Sequence, residues 1–364
     1  MMPPRAVDQS VSDSPEHVPV RPGEDQDWPA LEAFLRDEIP GLEGPFGVRQ
    51  FPKGYANLSY LLSFGEQRLV LRRPPFGRIA PGAHDMAREH KALTRLWPVF
   101  HRAPRSYLFC DDTSIIGAPF VVVEYRSGVG IWDAIPASMR CHEQVGERVG
   151  LAVIRALAEL HLLDVEGSGV SDLGRPKGFV KRQLAGWTQR WELVAGGHAG
   201  GAMQLASDQL VAQMPASRQT SVLHNDFKLD NCQFDPVDPD TVASIFDWDQ
   251  ATLGDPLIDL GILLNYWPDP THDPNEPMAY ASGMRLIGLP SHEAIIAEYR
   301  VLTGFDVDRL AWYQAFAAWK TAVVQRQLIA RFERGETSDP RLARLGRTSE
   351  ALTQHALHLL QADR

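Results

Sequence analysis

The chain has little of what would make it a disulfide scaffold, a membrane protein or a nucleic-acid binder. It holds three cysteines, Cys110, Cys141 and Cys232, in 364 residues. An odd number without metal-type pairing argues against a disulfide framework and fits a reducing compartment, the cytoplasm. No apolar run reaches the roughly 18 residues of a membrane helix, so no membrane partner is expected. The opening MMPPRAVDQSVSDSPEH has no apolar core and does not read as a secretory leader. Basic residues are outnumbered: 36 Lys and Arg against 46 Asp and Glu leave a formal charge of −10. That argues against a nucleic-acid partner, which needs a basic footprint, but leaves room for a local basic cleft. Internal repeats, long low-complexity tracts and the G-x-G-x-x-G phosphate loop are also missing.

What is present is ordinary for a globular protein, 44% hydrophobic and 23% charged. The length suits one large domain or two modest ones. The Pro-, Ser- and acid-rich start predicts a disordered tail over 1–25. Asp27 is placed to cap a short helix with Leu31, Phe34 and Leu35 on one face. Strands follow in VRQF, LSYLLSF and RLVLRR, with turns at PKGYAN and GEQ. Alternation in the second sets Leu58, Tyr60, Leu62 and Phe64 against Asn57, Ser59 and Ser63. In the third it puts Arg72 with Val70, opposite Leu69 and Leu71.

Residues 83–97 predict a helix whose apolar stripe is Met86, Leu93, Leu96 and Trp97. Glu89 falls inside that stripe, where an ionised carboxylate needs a cation, and Arg72 is the candidate. Strands around SYLFC and IGAPFVVVEY complete a five-stranded antiparallel set. Beyond the connector RSGVGIWD the pattern turns helical over 143–163, 177–196 and 307–334, interrupted by a hairpin over 221–247 that turns at DPVDPD. The fold class is therefore α+β. An antiparallel β-rich lobe spans 26–124, a hinge 125–130 and a mainly helical lobe 131–364.

The chemistry concentrates between His224 and Gly261, in HNDFKLDN and IFDWDQATLGDPLIDLG. By chance, H-x-D-x-x-x-x-N turns up in about one or two chains in a hundred of this length, so its company matters. A lone carboxylate, Asp226, stands five residues before an amide, Asn231, and a second acidic pair, Asp247 and Asp249, follows the hairpin. Phosphoryl transfer needs these parts: one carboxylate to orient a hydroxyl, and an Asn with an Asp to hold magnesium on the phosphates.

A β-lobe with a glycine turn, a cation on its third strand and an acid on the next helix, hinged to a helical lobe with D-x-x-x-x-N and a later Asp, resembles the protein-kinase-like fold. It is more closely similar to the aminoglycoside phosphotransferase and choline kinase family of small-molecule kinases, across residues 28–335. The residues that carry the resemblance are His224-Asn225-Asp226 through Asn231, Asp247-Trp248-Asp249, and Gly254-Asp255-Pro256 through Asp259-Leu260. The segments GYANLSY, VLRRPP, REHKAL and GFVKRQLAGWTQRW resemble the branch also fused to acyl-CoA dehydrogenases.

The resemblance implies roles. Asp226 would orient the substrate hydroxyl and accept its proton, and Asn231 and Asp247 would bind Mg²⁺. Asp249 lies two residues on, so in an extended backbone it would face the same side as Asp247; it stands where the family usually has Glu, which leaves its place in the metal shell open. Arg72 would contact the α and β phosphates while paired with Glu89, where kinases usually have lysine; the guanidinium fork suits phosphate. Gly54 would let backbone approach the phosphates, with Asn57 or Ser59 adding donors, and backbone at Val123, Glu124 and Tyr125 would meet the base. Asp259 would brace the catalytic loop.

The implied cofactors are ATP, with GTP left open, and Mg²⁺. The implied partners are that nucleotide and a small hydroxylated substrate, a hydroxyacyl thioester more than an antibiotic, bound by a monomer or homodimer. An aminoglycoside kinase and a catalytically silent nucleotide-binding regulator are the alternatives. A protein kinase fits poorly, because GDPLIDLG follows the metal motif without room for an activation loop or an A-P-E segment.

Other residues have plainer readings. Asp255 before Pro256 is a helix cap. His224 and His161 read as buried, hydrogen-bonded histidines, Cys232 as a buried thiol, and Trp187, Trp191, Trp312 and Trp319 as core, with some of them candidates to line the acceptor site. Arg182, Arg190, Tyr266 and Trp267 are candidates to reach the acceptor.

Overall fold

The computed structural model describes residues 17–52, 57–77, 84–195, 201–269, 278–280, 282–336, 342 and 345–362. Helix α1 (Trp28–Glu38) starts where Asp27 accepts the amide of Ala30 at 3.0 Å, with a proline in the first turn. It buries Leu31 and Leu35. The strands β1 (Phe46–Gln50), β2 (Leu58–Phe64) and β3 (Gln67–Arg73), then β4 (Ser106–Cys110) and β5 (Phe120–Glu124), form one antiparallel sheet in the order β1-β2-β3-β5-β4. Period-two alternation divides its faces. Leu58, Tyr60, Leu62, Leu69, Leu71 and Val122 pack with Leu31 and Leu35 of α1. Val121 and Val123 face the other way, with Val70 beside them, against helix α2 (Met86–Leu96) through Met86, Leu93 and Leu96.

Two expectations change here. Trp97 is not part of the α2 stripe: it lies beyond the last helical residue and is 41% exposed. The expected tail is too long at its inner end, because residues 17–25 lie against the sheet. Val18 and Gln50 exchange backbone hydrogen bonds of 2.8 Å, and the Gln50 side chain accepts from the Arg21 amide. A one-turn helix, α3 (Thr113–Ile116), joins β4 to β5, capped by Asp112 and closed by Gly117 at φ 75°.

The rest is mainly helical: α4 (Val145–His161), α5 (Phe179–Ala195), α6 (Ala202–Ala212), α7 (Leu257–Asn265), α8 (His292–Thr303), α9 (Leu310–Glu333) and α10 (Leu345–Ala362). Among the described residues no helix is long and apolar enough to cross a membrane. The expected hairpin is narrower than its sequence span. It consists of β8 (Cys232–Asp235) and β9 (Asp238–Ile245), and β6 (Val129–Gly130) pairs with β8. So residues 129–130, read as hinge, belong to the sheet of the helical region. The segment β7 (Ser221–Leu223) instead pairs with β10 (Thr252–Gly254), which brings the two ends of the HNDFKLDN–GDPLIDLG region together.

Helix α7 is buried along all nine residues and packs on α9. The two come close at Gly261, where an added Cβ would stand 2.7 Å from the Tyr313 carbonyl carbon and oxygen. These are backbone atoms and cannot rotate aside. Gly261→Ala is therefore expected to lower the urea midpoint: overpacking costs about 1–3 kcal/mol, against roughly 1 kcal/mol regained in helix propensity. An unchanged or higher midpoint would mean that the helices separate freely.

Candidate functional site

The site is built on two short turns that follow strands. After β7 the chain turns at His224 and Asn225, with Asn225 at φ 63°. After β9 it turns at Asp247, at φ 70°. This left-handed region is costly for most L residues and least so for Asn and Asp, so the residue types match the geometry. Asp259, in the first turn of α7, braces the first turn: its two oxygens accept the amides of His224 and Asn225, each at 2.7 Å. His161 lies 3.3 Å from the same carboxylate through Nε2, while its Nδ1 is 2.7 Å from the Tyr299 hydroxyl.

His224 ties the turns to each other. Its Nε2 donates to the Phe246 carbonyl at 2.7 Å, one residue before Asp247, and its ring packs on Phe227 and Trp248. The supporting places expected for His161, His224 and Asp259 are thus the ones found.

Asp226 is half-buried at the centre. Its Oδ2 accepts from Lys228 Nζ at 3.0 Å, and the Asn231 amide nitrogen donates to its carbonyl at 2.8 Å. That leaves the Asn231 amide oxygen without a hydrogen bond among the described residues. Against the downward push of burial, Asp226 holds the Lys228 ammonium well above the usual lysine value.

Arg72 arrives from the sheet. Its Nε is 3.1 Å from Glu89 Oε1, an ion pair between two buried side chains, and its other arm bonds to Asp247 Oδ1. The expected Arg72–Glu89 pair is present, with Glu89 1% exposed on the inner face of α2. Burial pushes the Glu89 carboxyl up to about 8, with Arg72 opposing it. Asp247 is held below the usual carboxylate value: burial pushes it up, and Arg72 and its other cationic neighbours more than offset that.

Asp249 does not follow Asp247 along an extended backbone, as expected. Asp247 is left-handed and Trp248–Gln250 form a 3₁₀ turn. Its carboxyl nevertheless stays within the influence of Asp247. Burial first, and that neighbour second, push it up to about 7.

Asn57 Nδ2 is 3.4 Å from Asp247 Oδ1, and its Oδ1 is 2.8 Å from His84 Nδ1, so it lies between two side chains. Ser59 faces Arg72 across the β2–β3 ladder. Val123 is buried inside the sheet, opposite Val70. Tyr125 follows β5, its ring 4.1 Å from the Arg68 guanidinium. Gly54 lies outside the described residues.

The donors fit a hard cation shared with phosphate. Asn231, Asp247 and Asp249 offer oxygens, with Asp249 pushed up first by burial and then by the Asp247 charge. No cluster of three His, Cys, Asp or Glu arranged to hold a metal occurs among the described residues. Magnesium commonly takes one or two carboxylates and completes its shell with water and substrate phosphates.

Other candidates fall away from the centre. Asp255 caps α7 through the Leu257 amide at 3.1 Å and accepts the Tyr313 hydroxyl at 2.8 Å. Trp267 is buried and donates to the Pro290 carbonyl, and Arg182 bonds the backbone of Lys177 and Arg175. Burial pushes the Cys232 thiol up, away from thiolate.

Sequence reasoning missed Lys228 and Lys320. Lys228 sits inside the quoted motif, two residues past Asp226. Lys320, on α9, donates to the Asn225 carbonyl at 3.3 Å. Its signal was a single charge in the apolar run AFAAWKTAVV.

Residues 47–295 match the phosphotransferase enzyme family. The chain is 30% identical over 352 residues to acyl-CoA dehydrogenase family member 11 of Rattus norvegicus, across 94% of this chain and 44% of that protein. It thus spans less than half the length of this curated relative. A Ralstonia eutropha protein assigned as an aminoglycoside phosphotransferase superposes with TM-score 0.74 at 26% identity, over 93% of this chain and 99% of that one. A thermostable mutant of aminoglycoside phosphotransferase APH(4)-Ia, crystallised with ADP and hygromycin B, superposes with TM-score 0.56 over 92% of this chain and 98% of that one. At 14% identity it shares the fold.

The bracing role of Asp259 is open to test. Asp259→Ala strips acceptors from two buried amides, each worth about 1–3 kcal/mol when left unsatisfied. The variant should lose roughly 2–5 kcal/mol in urea unfolding, with Asp259→Asn in between. Wild-type stability in the alanine variant would show that the turn holds without it.

Proposed function

We infer the activity from one premise: the chain belongs to the phosphotransferase enzyme family. It is a small-molecule kinase that transfers the γ-phosphate of ATP to a hydroxyl group. The nucleotide lies between the β-rich lobe, whose last strand ends at Glu124, and the helical lobe, whose first strand begins at Val129; the 125–128 connector joins them. The observation that carries this reading is a convergence. Arg72 touches Asp247 from 175 residues away, and Asn231 touches Asp226 beside them.

Asp226 takes the acceptor hydroxyl and removes its proton as the phosphoryl group leaves the donor. Lys228, at 3.0 Å, pairs with that carboxylate and fixes its direction. Asn231 and Asp247 would hold a magnesium ion, with the Asp249 carboxyl close behind; such an ion would supply charge neutralisation at the phosphates. Arg72, gripped by Glu89, supplies a fixed positive charge for the α and β phosphates. Little covalent chemistry is asked of the protein, so positioning and charge account for the rate. The acceptor is a hydroxylated acyl-CoA or a close relative. Supporting this choice, the curated relative is named an acyl-CoA dehydrogenase, and a phosphotransferase segment within such a protein is best matched to a hydroxylated acyl thioester.

Two substitutions test the reading separately. Asp226→Ala should lower turnover by at least about a hundredfold, the usual scale for a lost general base, while nucleotide affinity stays within a few fold. ADP release and calorimetry measure the two, and unimpaired turnover would remove Asp226 from the chemistry. Asp247→Ala should erase the difference in ATP affinity between magnesium and EDTA buffers. If that difference survives, Asp247 is not a metal ligand.

A further inference from the structure

We propose that the acceptor side of the site contains a receptor for a fixed negative charge, made by Lys320 and Arg190 against the ring of Trp187, and that the acceptor is therefore a hydroxylated anion. This deepens the kinase reading and rests on it.

Among the described residues Lys228 and Lys320 stand near Asp226, and Arg190 stands near Lys320. Lys228 is neutralised by Asp226 itself. The other two have no carboxylate partner among the described residues. Lys320 reaches in from α9, part-buried, and among the described residues its hydrogen bond goes to a neutral carbonyl, that of Asn225, next to the catalytic carboxylate. Arg190, on α5, lies with its guanidinium 4.4 Å from the Trp187 ring, and Lys320 Nζ is 5.4 Å from the same ring. One indole thus positions two like charges within reach of a common ligand. A buried cation without a counter-ion is costly and is uncommon unless something supplies the charge.

The carboxylates that Lys320 feels are already committed. Asp226 holds Lys228, and Asp259 holds the loop amides. Burial lowers the Lys320 pKa, and the charges of Lys228 and Arg190 lower it further. An arriving anion would relieve that penalty. A polycationic acceptor would deepen it, so the site disfavours aminoglycosides even though the chain carries a net charge of −10. Carboxylate and phosphate share the chemistry that this pair recognises, a planar or tetrahedral oxyanion held by charge-assisted hydrogen bonds.

The test is an ADP-release panel with magnesium and ATP. It compares hydroxycarboxylates, sugar phosphates and hydroxyacyl-CoA thioesters with neutral hydroxyamides and hygromycin B. Turnover should be confined to the anionic arms, and which arm wins separates carboxylate from phosphate. Lys320→Met and Arg190→Met should each raise the KM of the anionic acceptor by about tenfold to a hundredfold, the worth of one charge-assisted hydrogen bond. Affinity for Mg·ATP should stay within twofold in both. Arg190 is partly exposed on α5, so its variant keeps the test sound if Lys320→Met fails to fold.

The proposal is overturned by equal turnover of neutral or cationic acceptors, by unchanged acceptor KM in both variants, or by a silent panel in a protein that still binds Mg·ATP. It is also overturned if Lys320→Met lowers kcat alike for every acceptor and Arg190→Met does nothing, since Lys320 would then only prop the Asn225 turn. Failure of the wild-type protein to bind Mg·ATP would instead sink the kinase reading.

Discussion

Arg72 is taken out of water between a carboxylate from its own lobe and one from the other, and much of the surrounding structure answers to that placement. Guanidinium cannot shed its proton at any relevant pH, so burying it demands a fixed counter-charge. Glu89 supplies one from the inner face of α2, and Asp247 supplies the other from the end of β9. The sheet sets where the arginine points, because β3 alternates, and the helix sets where the acid points, because α2 turns every 3.6 residues. The link holds together parts of the chain that share no ladder. Glu89 Oε2 has no hydrogen-bond partner among the described residues.

The opposite wall is organised by strain and its restraint. Asn225 and Asp247 occupy a backbone region that costs energy, and they keep it only because other groups over-determine it. Asp259 does this for the first turn with two short hydrogen bonds, and His224 passes the constraint to the second through Phe246. A helix N-terminus, a buried histidine and two strand ends therefore act as one frame. Asp226 and Asp247 are placed by that frame and not by contact with each other.

What was legible in the sequence was local. The period of β3 and of α2 gave both sides of the Arg72–Glu89 pair, and Asp27 read correctly as a cap. The Asp226–Asn231 spacing pointed to a loop whose two ends do meet. What was not legible depended on distant partners or on one backbone angle. The pairing of β7 with β10 joins three-residue strands too short to show a pattern. The extended reading of Asp247–Asp249 failed because Asp247 is left-handed, which no periodicity announces. Residues 17–25 read as tail on composition, yet Gln50 gives them backbone and side-chain partners. Lys320 meets Asn225 across 95 residues, and only the fold brings them together.

The signs of the charges set the order in which a ligand can be accepted. Asp226, Asp247 and Asp249 already crowd one region, and Asp249 is pushed up first by burial and then by its acidic neighbours. A triphosphate added to these acids alone would meet net repulsion, because Arg72 and Lys228 are both already paired. In the proposed reaction the nucleotide therefore needs its metal to enter, and the oxygens of Asn231, Asp247 and Asp249 would meet that metal. The proposed acceptor wall differs, because its cations, Lys320 and Arg190, have no ion-paired acid among the described residues. One half of the site is short of positive charge and the other half has it to spare, which is the asymmetry expected where a metal-borne donor meets an anionic acceptor over a single carboxylate.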